Sequence, residues 1–158
     1  MRKGCGLFLI SITAAACSVW SGPQPSPQPF SIAIAPATAA VKAGEEVYIK
    51  IHMTNKSDHN VDCSSVYVNG VDRRYYYDVR DNNGNSVKRP IENLELYPGS
   101  IQLCTLKPGE STTGGSRVSW LNDVSRPGKY VIQVSRGVSS NEKDGVVKSN
   151  KITLTVDP

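Results

Sequence analysis

From Val47 to Thr54 apolar and polar side chains alternate without a break: Val47, Ile49, Ile51 and Met53 fall on one side, Tyr48, Lys50, His52 and Thr54 on the other. A repeat of two belongs to an extended strand, whereas a helix would scatter these four apolar groups around its axis. One face must be dry and the other wet, as in an antiparallel sheet covered on one side. Such a strand needs partners, and much of the chain reads the same way. Phe30, Ile32 and Ile34 alternate with Ser31, Ala33 and Ala35 until Pro36 ends the run. Tyr130, Ile132 and Val134 alternate with Val131, Gln133 and Ser135 just after Pro127-Gly128, and the segment Val147 to Val156 places Ile152, Leu154 and Val156 inward.

Turn chemistry punctuates these runs. Lys42-Ala43-Gly44-Glu45, Asp81-Asn82-Asn83-Gly84-Asn85 and Lys107-Pro108-Gly109-Glu110 are turn segments, and Asn69-Gly70 is the two-residue hairpin signal whose central positions both need φ > 0. Between them, Cys63 to Val68, Arg73 to Arg80, Ile101 to Leu106 and Ser116 to Leu121 read as strands, the last with Val118 and Trp120 inward. Within Arg73 to Arg80, Tyr75, Tyr77 and Val79 share one face and Arg74, Tyr76, Asp78 and Arg80 the other. Pro90 to Gly99 follows neither period and is assigned no element. Turn signals about every ten residues, with no convincing helix, predict a Greek-key β-sandwich. Its central strand is expected to be Pro127 to Arg136. A tyrosine at the mouth of that strand, Tyr130, resembles the tyrosine corner of immunoglobulin-like domains, which implies a buried ring and a hydroxyl bonded to backbone a few residues upstream. The expected fold is therefore all-β, an immunoglobulin-like Greek-key β-sandwich of about seven to nine strands over residues 30–158.

The first residues belong to something else. Arg2 and Lys3 are followed by an uncharged apolar run, Leu7 to Ala16, that ends in Ala14-Ala15-Ala16. Ten apolar residues are too few to span a bilayer, but a basic start, an apolar middle and small residues at the end make a signal peptide over residues 1–16. Cys17 follows at once, and the junction resembles the lipobox of bacterial lipoproteins, with Ala14 where that family usually has Leu. The resemblance implies a lipid-anchored Cys17 and, from Ser18, outer-membrane sorting in a bacterium with two membranes; plain secretion is the alternative. Residues 17–29, interrupted by four prolines, form an extended spacer. Lipidation would also remove an odd thiol, leaving Cys63 and Cys104 as the cysteines of the globular region. In an oxidising compartment these are expected to pair.

A wider resemblance runs from residue 41 to 135. The order Ala43-Gly44-Glu45, Asn55-Lys56-Ser57, Asp78-Val79-Arg80-Asp81, Gly84, Pro108-Gly109-Glu110, Trp120 and Pro127-Gly128-Lys129-Tyr130 is similar to the intracellular proteinase inhibitor-type domain among bacterial immunoglobulin-like modules. It implies the shared fold and, as one functional alternative, a turn such as Lys107 to Glu110 or Asp81 to Asn85 entering a protease cleft.

Charge and motifs narrow the chemistry. Lysines and arginines number 18 against 14 acidic residues; without Arg2 and Lys3 the balance is 16 to 14, which leaves no electrostatic footprint for nucleic acid. The only histidines are His52 and His59 and the chain has no Gly-x-Ser-x-Gly elbow, so a hydrolase has no local motif and an enzyme of unrecognised type remains the rival class. His52, Asp58, His59, Asp62 and Cys63 match no zinc spacing, and Asp81 to Asn85 lacks the first carboxylate and the bidentate Glu of a calcium loop. No metal or cofactor is expected. The face carrying Arg74, Tyr76 and Arg80, with Tyr48 and His52 on a neighbouring strand, is the candidate contact surface, because tyrosine and arginine anchor interfaces and aromatic faces stack on sugars. The sequence thus points to a non-enzymatic exported module of the cell envelope, binding a protein or polysaccharide and meeting a membrane only through a lipid anchor.

Overall fold

In a computed structural model, which describes residues 28–38, 40–89, 99–139 and 145–158, the cleanest alternating run becomes β3 (Tyr48–Asn55), the middle of a three-stranded sheet. It pairs antiparallel with β1 (Phe30–Pro36), Ile32 opposite Met53, and with β10 (Ser111–Arg117), Ser116 opposite Ile49. The facing sheet is built on β11 (Gly128–Gly137). One edge of β11 pairs with β7 (Tyr76–Arg80); the other pairs with β13 (Ile152–Asp157) and, beyond it, with β12 (Val146–Lys148). After Pro36 the chain crosses between sheets, so that β2 (Val41–Lys42) lies parallel to β13. The expected central position of the Pro127 to Arg136 strand is observed.

The inner faces of both sheets make one core. Phe30, Ile32, Ile34, Ile49, Ile51 and Met53 meet Val79, Tyr130, Ile132, Val134, Leu154 and Val156, all buried. Each such side chain contributes about 1.5–3 kcal/mol on removal from water. The result is an all-β, immunoglobulin-like sandwich. Tyr130 is its tyrosine corner: the ring is buried and the hydroxyl donates to the Arg126 carbonyl at 2.9 Å.

Two small ladders close one flank. β4 (Val61–Asp62) pairs with β9 (Thr105–Leu106), and β5 (Ser65–Val68) lies between β6 (Val71–Asp72) and β8 (Ser100–Gln102). The β5–β6 connection is the expected hairpin, with Asn69 at φ 53° and Gly70 at φ 78°.

Several strands end elsewhere than the sequence suggests. The expected strand Arg73 to Arg80 begins only at Tyr76, since the hairpin from Asn69-Gly70 leads to β6, and the chain then turns into the other sheet. The expected strand Ser116 to Leu121 is the end of β10 followed by a single helical turn, α1 (Val118–Leu121). There Val118 donates its amide to the Val47 carbonyl and Ser119 Oγ accepts the Val47 amide, so β3 offers no further ladder to extend along; Val118 is buried and Trp120 only half-buried. Ile101 to Leu106 is split because the chain bends at Leu103-Cys104 toward Cys63, and Val147 to Val156 is split where Ser149 bonds Val134. The signal segment, Cys17, most of the spacer and Pro90 to 98 lie outside the described residues.

Candidate functional site

The turn that carries the chain from β6 to β7 is held by Asp72. Its buried carboxylate accepts the amides of Val66 at 3.2 Å and Arg74 at 3.0 Å. The hydroxyl of Tyr77 donates to the Asp72 carbonyl at 2.9 Å, so the 2.6 Å contact between Tyr77 and Ser116 Oγ uses the serine proton. Burial pushes the Tyr75 phenol up from its ordinary value and the Tyr77 phenol well up. With Tyr75 and Tyr77 drawn inward, Arg73 and Arg74 are thrown outward and Tyr76 stands 69% exposed.

Arg136 underlies this turn. It continues the inward parity of Tyr130, Ile132 and Val134, which brings a guanidinium into the end of the core at 3% exposure. Nη2 donates to the carbonyls of Asp62 at 2.9 Å and Ser64 at 3.3 Å, and the guanidinium carbon lies 5.4 Å from the centre of the Tyr75 ring. Nη1 is buried without an acceptor. The Asp62 carboxylate lies 2.6 Å from Arg74 Nη2 and 3.8 Å from Arg136 Nη2. Burial alone would raise the Asp62 carboxyl, but hydrogen bonds from Ser64 and Arg74 outweigh it and hold the group below the usual carboxylate range.

Above these groups runs an open groove of about 790 Å³, bounded by Arg73, Arg74, Tyr76, Ser135, Arg136 and Val146. A second recess of about 540 Å³ adjoins it on the side of Phe30, His59, Asp62 and Val138. Three guanidinium groups therefore face one carboxylate among the described lining residues. Arg73 has no ion-pair partner among them.

Two of the three contact residues expected from sequence come together here: Arg74 and Tyr76. Arg80 does not. It sits at the far end of β7, bonded to Asp78 at 3.2 Å and to the Gly84 carbonyl at 3.1 Å. Tyr48 and His52 are not on a neighbouring strand either; they project from β3, in the opposite sheet, where Tyr48 bonds Glu46 and His52 bonds Thr113 and Thr54. Arg73 opens the Arg-Arg-Tyr-Tyr-Tyr run, but strand alternation places it on the face opposite Arg74 and Tyr76, and Arg136 is not among the contact residues expected from sequence. For Arg136 a signal existed, an arginine at the core parity of the most apolar strand.

The other candidates resolve simply. Cys63 and Cys104 form a disulfide, with Cα atoms 4.9 Å apart and the Cys63 amide donating to the Cys104 carbonyl at 3.0 Å. His59 pairs with Asp58 at 3.0 Å, whereas His52 bonds Thr113 and Thr54. The Asp81 carboxylate accepts the amides of Asn83 at 2.9 Å and Asn85 at 2.8 Å, which accounts for that loop as a hairpin turn. Among the described residues no group of three or more His, Cys, Asp or Glu side chains is arranged to hold a metal ion, and no helix is long and apolar enough to cross a membrane.

No protein-family model matches the chain, and no curated protein does. Among solved structures it is similar to a CARDB domain from Pyrococcus furiosus, at 18% identity and a TM-score of 0.42 over 82% of this chain and 94% of that one. It is also similar to part of a β-glucosidase from Listeria innocua, at 18% identity and a TM-score of 0.44, covering 82% of this chain but 16% of the enzyme. A DNA-bound alkylpurine DNA glycosylase from Pseudomonas fluorescens matches at 11% identity and a TM-score of 0.42, covering 82% of this chain and 31% of the glycosylase.

Proposed function

We propose that the protein is a non-enzymatic, exported binding domain of the cell envelope whose contact surface is the groove at Arg73, Arg74 and Tyr76. The observation that carries this reading is Tyr76, a large aromatic side chain 69% exposed at the rim of a groove lined by guanidinium groups. Such a surface can supply burial and bidentate hydrogen bonds to a protein or polysaccharide. Export is supported by the basic, apolar, small-residue order of residues 1–16 and by the disulfide, which belongs in an oxidising compartment. Anchoring rests on Cys17: an acylated Cys17 in the intact mass of the cell-expressed protein would support it, and an unmodified chain beginning elsewhere would leave simple secretion.

The binding reading is tested by titrating envelope fractions against the protein and against Tyr76→Ala. Folding stability should change by no more than about 0.5 kcal/mol, while binding weakens by about 1–2 kcal/mol. The reading fails if Tyr76→Ala retains every interaction. If, in addition, a substitution within Lys107 to Glu110 abolishes inhibition of a serine protease, the inhibitor alternative replaces it.

A further inference from the structure

Building on that reading of the groove, we propose that its ligand is an anionic polysaccharide carrying carboxylate groups, with a sugar ring on Tyr76 and its carboxylate on the arginines. Three observations lead there. The first is charge. Arg73, Arg74 and Arg136 line the groove, and the single described carboxylate beside them is that of Asp62 in the adjoining recess, already engaged by Arg74 at 2.6 Å. The Arg73 guanidinium has no partner among the described residues, and its fork of donors suits a planar, two-oxygen acceptor. The second is Arg136, a guanidinium at 3% exposure whose Nη1 finds no acceptor. A buried donor left unpaired is costly, and an anionic group drawn toward the groove floor is the chemistry that offsets it. The third is the character of the walls. Among the described lining residues of the main groove Val146 is the one aliphatic side chain, the remainder being arginine, serine, glycine and the Tyr76 ring. A peptide partner would be expected to seat an apolar anchor in a dry pocket; the main groove has none among its described residues, and apolar side chains nearby, such as Phe30 and Val138, line the adjoining recess. A hydrated, polyhydroxylated chain requires only a ring-sized aromatic platform and donors for its charge.

The test is calorimetric titration of the purified protein with tetragalacturonate, its neutral methyl ester, a glutamate-rich peptide of equal charge and inorganic phosphate. The free uronate should bind, and the ester should bind about tenfold more weakly or not at all, the loss of a charged hydrogen-bonded pair. Arg73→Gln should weaken uronate binding by a similar factor. That side chain is exposed and has no partner among the described residues, so its replacement leaves the fold intact. Arg80→Gln removes the same charge from the far end of β7 and should leave binding unchanged. Affinity should fall as salt is raised. Equal binding of ester and acid, binding of the peptide or of phosphate as tight as that of the uronate, or no binding of the uronate would each overturn the assignment. Failure here with a Tyr76-dependent envelope partner intact removes the polysaccharide and leaves the binding domain. Loss of the Tyr76 dependence removes both.

Discussion

The side-chain amide of Asn150 is joined twice to the backbone of Ile34: Oδ1 accepts the Ile34 amide at 2.8 Å, and Nδ2 donates to the Ile34 carbonyl at 3.0 Å. Ile34 lies on β1, an edge strand of one sheet, and Asn150 lies between β12 and β13 of the other. One amide therefore takes the place of a neighbouring strand and stitches the two sheets along an otherwise open edge.

Replacing Asn150 with Ala leaves both Ile34 backbone groups without that partner in a part-buried setting. The expected loss is about 1–3 kcal/mol of stability, with faster hydrogen exchange at the Ile34 amide. Denaturant unfolding and exchange rates check this; an unchanged midpoint together with unchanged protection would refute it.

Tyr130→Phe keeps the buried ring and removes only the bond to the Arg126 carbonyl. We expect a cost of about 1 kcal/mol, against about 3–5 kcal/mol for Tyr130→Ala, which also empties its place in the core. Equal losses in the two variants would show that the hydroxyl, rather than the ring, holds the corner.

Reduction of Cys63–Cys104 should destabilise the protein. The bridge spans a sequence separation of 41, for which the chain-entropy model assigns about 4 kcal/mol. Urea unfolding with and without reductant measures it, and superimposable curves after verified reduction would remove its energetic role.

The buried phenols make stability fall at high pH. The folded protein holds the Tyr77 and Tyr75 phenols above their ordinary value of 10.0. Above about pH 10 the unfolded chain therefore releases protons that the folded chain keeps, and stability drops as pH rises; below that pH the effect is absent. Urea midpoints measured from about pH 8 to about pH 11 should decline. Tyr77→Phe, although weaker near neutrality by about 1–2 kcal/mol through its lost hydrogen bonds, should decline less steeply. A parallel decline in both proteins would contradict the assignment to Tyr77.

Sequence alone determined whatever depends on near neighbours in the chain. Strand parity over Phe30 to Ile34, Val47 to Met53 and Tyr130 to Val134 follows from a two-residue repeat, and the Asn69-Gly70 turn follows from the backbone that those residues tolerate. Tyr130 could be read because its partner, Arg126, is four residues away. The Cys63–Cys104 pairing was open to counting, since no other cysteine lies in the globular region. Tertiary structure alone decided which sheet each strand joins. The alternation of β7 is the same whichever strand it pairs with, so only its pairing with β11, and that of β3 with β1 and β10, showed that Arg80 leaves the groove and that Tyr48 and His52 lie on the opposite sheet. β10 carries Thr112, Thr113, Gly114 and Gly115, which give no apolar alternation, and becomes a strand because β3 presents a ladder to it. Arg136 and Asn150 make their decisive bonds to residues 72 to 116 positions away. Contacts of that reach leave no mark in a local pattern and exist only once the two sheets have closed on each other.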